Sequence, residues 1–165
     1  MLKYLALISL CLSLVTGQTD RFDQASIDVK ISAMVVDYLE MITLSDIDVG
    51  TVQPSQMEVR LDPRLDQGAG LIKIQGRQTT SVRIAYTQQV EMVNSTTNHI
   101  MSVMYHLSGN TVNEQGSSNP ISENPVTVNL NSNGEFFIWI GCYFSLEGVT
   151  AGQYDGDFVI EVEYN

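Results

Sequence analysis

Gly152-Gln153-Tyr154-Asp155-Gly156-Asp157-Phe158-Val159-Ile160-Glu161-Val162-Glu163-Tyr164-Asn165 is the stretch that decides the fold. Asp155-Gly156 is a turn signal. Beyond it Phe158, Ile160, Val162 and Tyr164 recur at every second position, with Asp157, Glu161 and Glu163 between them. A strand turns successive side chains to opposite faces, so this stretch carries an apolar row inward and an acidic row outward. The alternation predicts the closing strand of a β-sandwich.

The segments before it carry the same signature. Glu135 to Leu146 is the most apolar and aromatic run of the chain, apolar on both faces, as in a central strand covered on both sides. Asn131-Ser132-Asn133-Gly134 ahead of it is a hairpin turn, because Asn and Gly accept positive φ cheaply. Val126, Val128 and Leu130 alternate before that turn. Gly109 to Asn124 is long, polar and rich in Gly, Ser, Asn and Pro, which predicts an exposed loop. Ile100 to Leu107 is mainly apolar. Val82, Ile84 and Tyr86 form a short strand with Arg83 outward, and Ile72 and Ile74 form another, closed by Gly76. Gln67-Gly68-Ala69-Gly70 is a loop, and Met57, Val59 and Leu61 alternate until Asp62-Pro63. Gly50 and Pro54 punctuate the chain after Asp46-Ile47-Asp48-Val49. Tyr38 to Leu44 fits either a strand or a short helical turn. Ile27, Val29, Ile31, Ala33 and Val35 alternate with Asp28, Lys30 and Ser32, a long amphipathic strand until Met34 and Val36 break its polar face.

No segment carries a helical period of useful length. Short strands recur about every ten residues with turns between them, which predicts an all-β, immunoglobulin-like antiparallel β-sandwich. Phe158, Ile160, Val162, Tyr164, Val82, Ile84, Val126 and Val128 should face its core.

Residues 1–17 have the form of a signal peptide. Lys3 supplies a positive start, and Leu5 to Val15 is an apolar run too short to span a bilayer. Gln18 is the expected first mature residue, leaving residues 18–165 as a single domain large enough to bury a core. Cys11 raises lipidation as an alternative, which Leu10 and the continuing apolar run disfavour. No later stretch is long enough for a membrane helix, so the mature chain is expected outside the cytoplasm, secreted or at the cell surface via the periplasm, without an integral membrane segment. Losing Lys3 leaves 7 basic residues against 19 acidic ones, a net charge of -12. Such a surface repels nucleic acid and anionic lipid. Cys142 is then the only cysteine, so no disulfide forms within the chain and a buried, inert thiol is expected. An intermolecular disulfide or a reactive thiol is the alternative.

Reactive constellations are lacking. His99 and His106 have no zinc spacing, and no cysteine pair helps them. Asp46 with Asp48, and Asp155 with Asp157, lack the rest of a calcium loop. There is no nucleophile elbow, metalloprotease helix or phosphate-binding glycine loop. Neither a cofactor, a metal nor catalysis is expected. Asn94-Ser95-Thr96 matches a glycosylation acceptor, a short pattern that often occurs by chance, and is taken as an ordinary loop.

Several segments carry a resemblance. Leu44 to Val52, Ile72-x-Ile74-x-Gly76 followed by Val82-x-Ile84, Trp139-Ile140-Gly141-Cys142, and above all Ala151-Gly152-x-Tyr154-x-Gly156 with the strand after it, resemble a bacterial secreted β-sandwich family of unassigned function related to spore-coat-U-type pilin domains. Val49 stands where that family usually has Phe, and Cys142 replaces a glycine. The closing stretch also resembles the terminus of chaperone–usher pilus subunits, with Gly152 fourteenth from the end and Tyr164 penultimate. That resemblance implies a structural or adhesin-like fimbrial subunit. Its partners would be copies of itself or related subunits and a periplasmic chaperone. Gly152, Phe158, Ile160, Val162 and Tyr164 would form the assembly strand, and Ile27, Val29, Ile31, Ala33 and Val35 a strand donated to a neighbour's groove. A monomeric binding module, for example for glycan through the Gly109 to Asn124 loop, is the alternative.

Overall fold

Alternating apolar residues become eleven strands in the computed structural model, which describes residues 38–52 and 56–165. In chain order they are β1 (Glu40–Ser45), β2 (Glu58–Leu61), β3 (Gly70–Gln75), β4 (Ser81–Tyr86), β5 (Gln89–Asn94), β6 (Ile100–Asn110), β7 (Asn119–Ile121), β8 (Val126–Asn129), β9 (Glu135–Ser145), β10 (Tyr154–Asp155) and β11 (Ile160–Tyr164). Every pairing is antiparallel. The larger sheet has the order β1-β3-β9-β6-β5-β10, with β2 also on β9 and β7 also on β6. The smaller has the order β11-β4-β8. The two enclose one core, and the fold is the expected all-β, immunoglobulin-like sandwich.

The core follows from the two-residue period. Phe136, Ile138, Ile140, Cys142 and Phe144 of β9 are buried in it with Ile72 and Ile74 of β3, Val103, Tyr105 and Leu107 of β6, and Val82 and Ile84 of β4. Phe137 and Trp139 of β9 are also buried, on the other face. This accounts for the two-sided apolar pattern of Glu135 to Leu146. Ser108 pairs with Trp139 on that outer face and donates to Pro63 O, so the turn after β2 lies against it.

One open reading is settled, one unassigned segment proves to be a strand, and one expectation changes. Tyr38 to Leu44 resolves as strand, with β1 beginning at Glu40 after Tyr38 turns at φ 64°. Gln89–Asn94, unassigned from sequence, is a strand that buries Val90, Met92 and Asn94 alternately. Gly109 to Asn124 is not a free loop. β6 runs on to Asn110, a 3-10 turn spans Gln115–Ser117, and β7 returns along β6. Its polar side chains tie it down: Gln115 Nε2 donates to Pro63 O (3.1 Å) and Asp66 O (2.8 Å), and buried Ser118 Oγ lies 2.9 Å from Ser108 Oγ.

Residues 1–17 and the candidate donor residues Ile27, Val29, Ile31, Ala33 and Val35 lie outside the described residues. Among the described residues, no helix is long and apolar enough to cross a membrane.

Candidate functional site

Among the described residues, β11 is held from one side only. Its register on β4 runs from Ile160 opposite Tyr86 to Tyr164 opposite Val82. Phe158 and Ile160 are fully buried, while Val162 and Tyr164 are half-buried against the same core. Val82 and Ile84 are fully buried opposite them, and Val126 and Val128 of β8 are half-buried against the core, so all eight residues expected to face inward do so. Thr87 N donates to Val159 O (2.9 Å) and Asn165 N to Ser81 O (3.2 Å). The odd-numbered residues therefore turn their backbone groups to β4. In an antiparallel ladder the alternate ones, Ile160, Val162 and Tyr164, then point theirs away. Among the described residues no strand meets that side. The edge is a row of backbone donors and acceptors beside an apolar floor, the physical requirement for strand addition. Its solvent face is acidic; Arg83 Nη1 meets Glu163 Oε1 at 2.6 Å, an exposed pair that adds little stability.

Tyr164 fixes the far end of this strand. Its Oη accepts from Arg77 N (2.9 Å) and donates to Tyr38 O (3.2 Å), and the Arg77 guanidinium lies 4.7 Å from the ring centroid. The start of the described chain is thereby pinned to the end of β11.

The Gly152-x-Tyr154-x-Gly156 motif has a local explanation. Gly152 has φ 147°, and a Cβ there would lie 2.4 Å from Asn94 Nδ2. Tyr154 pairs with Asn94, is buried, and donates from Oη to Thr150 O at 2.9 Å. A Cβ on Gly156 would press on Val90 and Met92 at 3.0 Å. The motif lets β10 lie against β5 and carries the chain across to β11. Gly152 is thus a packing residue, set apart from the free edge formed by Ile160, Val162 and Tyr164.

Asn94 itself is wholly buried. Its Oδ1 accepts from Thr96 N and Thr97 N, both at 2.9 Å, so the acceptor-like tripeptide is a turn capped from inside, with the amide that a glycan would need enclosed. His99 is half-buried before β6, whereas His106 is exposed within it. Asp48 Oδ1 accepts from Gly50 N, and Asp155 Oδ1 accepts from Gln153 Nε2. Among the described residues, no three His, Cys, Asp or Glu side chains gather as a metal site. Cys142 is buried opposite Tyr105. Burial pushes its thiol up to about 11, and burial, with the Cys142 thiol beside it, pushes the Tyr105 phenol up to about 12. The thiol is inert by that criterion.

A second feature was hidden in the sequence. Between β7 and β8 the sandwich opens into a groove of about 440 Å³. Ile121, Val126, Val128 and Phe136 form its apolar lining, and Asn110, Asn119 and Glu123 its polar part. The two strands are consecutive, joined by residues 122–125, but lie in different sheets, and Asn110 and Phe136 come to the groove from β6 and β9.

No family model matches this sequence, and no curated protein matches it significantly.

Proposed function

We propose that the protein is a secreted structural or adhesin-like subunit that associates by strand addition at the outward edge of β11, in the manner of a pilin-type module. The observation that carries this reading is the one-sided bonding of β11 among the described residues, with the backbone groups of Ile160, Val162 and Tyr164 turned away from β4. An incoming strand from a neighbouring copy would gain ladder hydrogen bonds for affinity and seat alternate side chains beside Ile160 and Val162 for register. Residues 27–35, with five apolar side chains at alternate positions, have the required pattern. A head-to-tail contact of this kind grows a filament when the rotation between copies does not close a ring. The reading needs no catalysis, metal or cofactor. Concentration-dependent oligomers, with cross-links from residues 27–35 of one copy to 158–164 of another, are the expected result. A monomer at every concentration would refute it.

The groove between β7 and β8 favours a second reading, a module that binds a glycan. Its combination of Phe136 with amide and carboxylate groups suits a ligand with apolar faces and hydroxyl edges. Titration with oligosaccharides should then shift the backbone resonances of residues 119–123 and 126–128 ahead of all others. Unchanged spectra across a broad oligosaccharide panel would remove this reading.

A further inference from the structure

We propose that Glu161 and Glu163 make the outward edge of β11 selective: they bar it from the β11 edge of a second copy and direct it to a strand that alternates apolar side chains with Lys or Arg. The proposal rests on the reading of that edge as a strand acceptor, and adds which strand it accepts.

Backbone parity fixes what two β11 edges would do to each other. The outward groups belong to Ile160, Val162 and Tyr164. Two copies related by a two-fold axis would bond through these residues in antiparallel fashion, with Val162 opposite Val162 and Ile160 opposite Tyr164. Glu161 of each copy then faces Glu163 of the other. Those are the non-hydrogen-bonded positions, where side chains on neighbouring strands come closest. Like charges directly opposite destabilise the pairing. A slip of one residue would turn the apolar row outward. A slip of two keeps it inward, but sets Glu161 against Glu161 or Glu163 against Glu163. Glu161 gains no counter-charge across its own sheet, because its partner on β4 is Ala85. Glu163 meets Arg83 on the β4 side, yet 63% of its side chain stays exposed.

The same geometry describes the partner that fits. A strand laid on this edge with one apolar row over the core turns its other row outward, beside Glu161 and Glu163. Lys or Arg in that row would meet the two carboxylates as opposite charges on neighbouring strands, a favourable pairing. The formal charge of the chain, -11, adds a longer-range bias in the same direction, repelling a second copy and attracting a basic segment. The acidic row is a property of this edge and not of every strand in the sheet. On β8, at the other end of the same sheet, the exposed residues are Thr127 and Asn129, both uncharged. Charge on an edge strand is a known guard against indiscriminate pairing. Here its sign also states what is admitted.

The test uses the full chain, dilute enough not to associate, and short synthetic peptides in which Val alternates with Lys, with Glu or with Ser. A fourth peptide groups the Val and Lys residues of the first into two blocks. The alternating Lys peptide should slow hydrogen exchange at the amides of Ile160, Val162 and Tyr164, and the block peptide should not. It should bind at least about tenfold more tightly than the Glu peptide, since two opposite-charge pairs replace two like-charge pairs. Glu161→Gln with Glu163→Gln should close that gap, and high salt should narrow it. Both side chains are exposed, and Glu161→Gln alone, which keeps the Arg83–Glu163 pair, should narrow the gap as well. The double variant should also pair with itself, giving NOEs between Ile160 and Tyr164 of differently labelled copies that wild type lacks. Equal protection by the Lys and Glu peptides, a gap that persists in the double variant, or the Ile160–Tyr164 contact between wild-type copies would overturn the selectivity and leave the strand-acceptor reading standing. Failure of all three alternating peptides to protect those amides would remove both.

Discussion

Ile160 shows how much a single position of the closing strand carries. Its side chain is fully buried, opposite Tyr86 and within the cluster that includes Phe158. Ile160→Asp would place an unpaired charge there, and should lower unfolding stability by at least about 3 kcal/mol. Denaturant melts of wild type and variant measure this; an unchanged midpoint would show that the assigned face is wrong. Cys142 and Tyr105, cross-strand partners, give a pH signature. Their folded pKa values are raised, from 9.0 to about 11 and from 10.0 to about 12. Between unfolded and folded values the unfolded chain holds fewer protons, so stability falls as pH rises. The contribution is complete below about pH 9 and lost progressively towards pH 12. Cys142→Ala should flatten the part of the decline that begins near pH 9, as followed by thermal melts across that range. Asn94 illustrates a residue whose setting its type concealed: a polar side chain at the end of an alternating run looks solvated, and only the turn it caps and the bare Gly152 above it make the interior position intelligible.

At the scale of the element, strands whose apolar row is unbroken were legible, and the others were not. β11, β4 and the two-sided β9 announce themselves by period and composition. β5 is masked by Asn94 inside and Val93 outside, which invert the expected polarity at its end. The Gly109 to Asn124 segment has loop composition, yet Gln115, Ser118 and Ser108 spend their hydrogen bonds on fixing it over the outer face of β6 and β9. The free edge of β11 could be suspected from its alternation, but its one-sidedness depends on which strands flank it, a non-local fact. The groove between β7 and β8 is built mostly from residues 119–128, but the divergence of those two strands into different sheets, and the approach of Phe136 from β9, are not written in that segment. Tyr164→Phe removes the Oη that joins Arg77 N and Tyr38 O while retaining the ring under Arg77. It should cost about 1–2 kcal/mol and speed hydrogen exchange at the Arg77 amide, while a variant matching wild type in both would show that this end of β11 is not anchored there.

For the whole molecule, two sheets of unequal width share one core, and the narrower one ends on a strand with an unsatisfied side among the described residues. That side must meet water, its own chain or another copy. The most direct discrimination is native-state hydrogen exchange resolved at the amides of Ile160, Val162 and Tyr164, compared with Glu161 and Glu163, whose amides face β4. If the outer edge of β11 receives a neighbour's strand, the three even-numbered amides become protected as strongly as the two odd-numbered ones once the subunits associate. Exchange of those three at the rate of an open chain, at low and high protein concentration, with Glu161 and Glu163 still protected, would contradict strand addition at this edge.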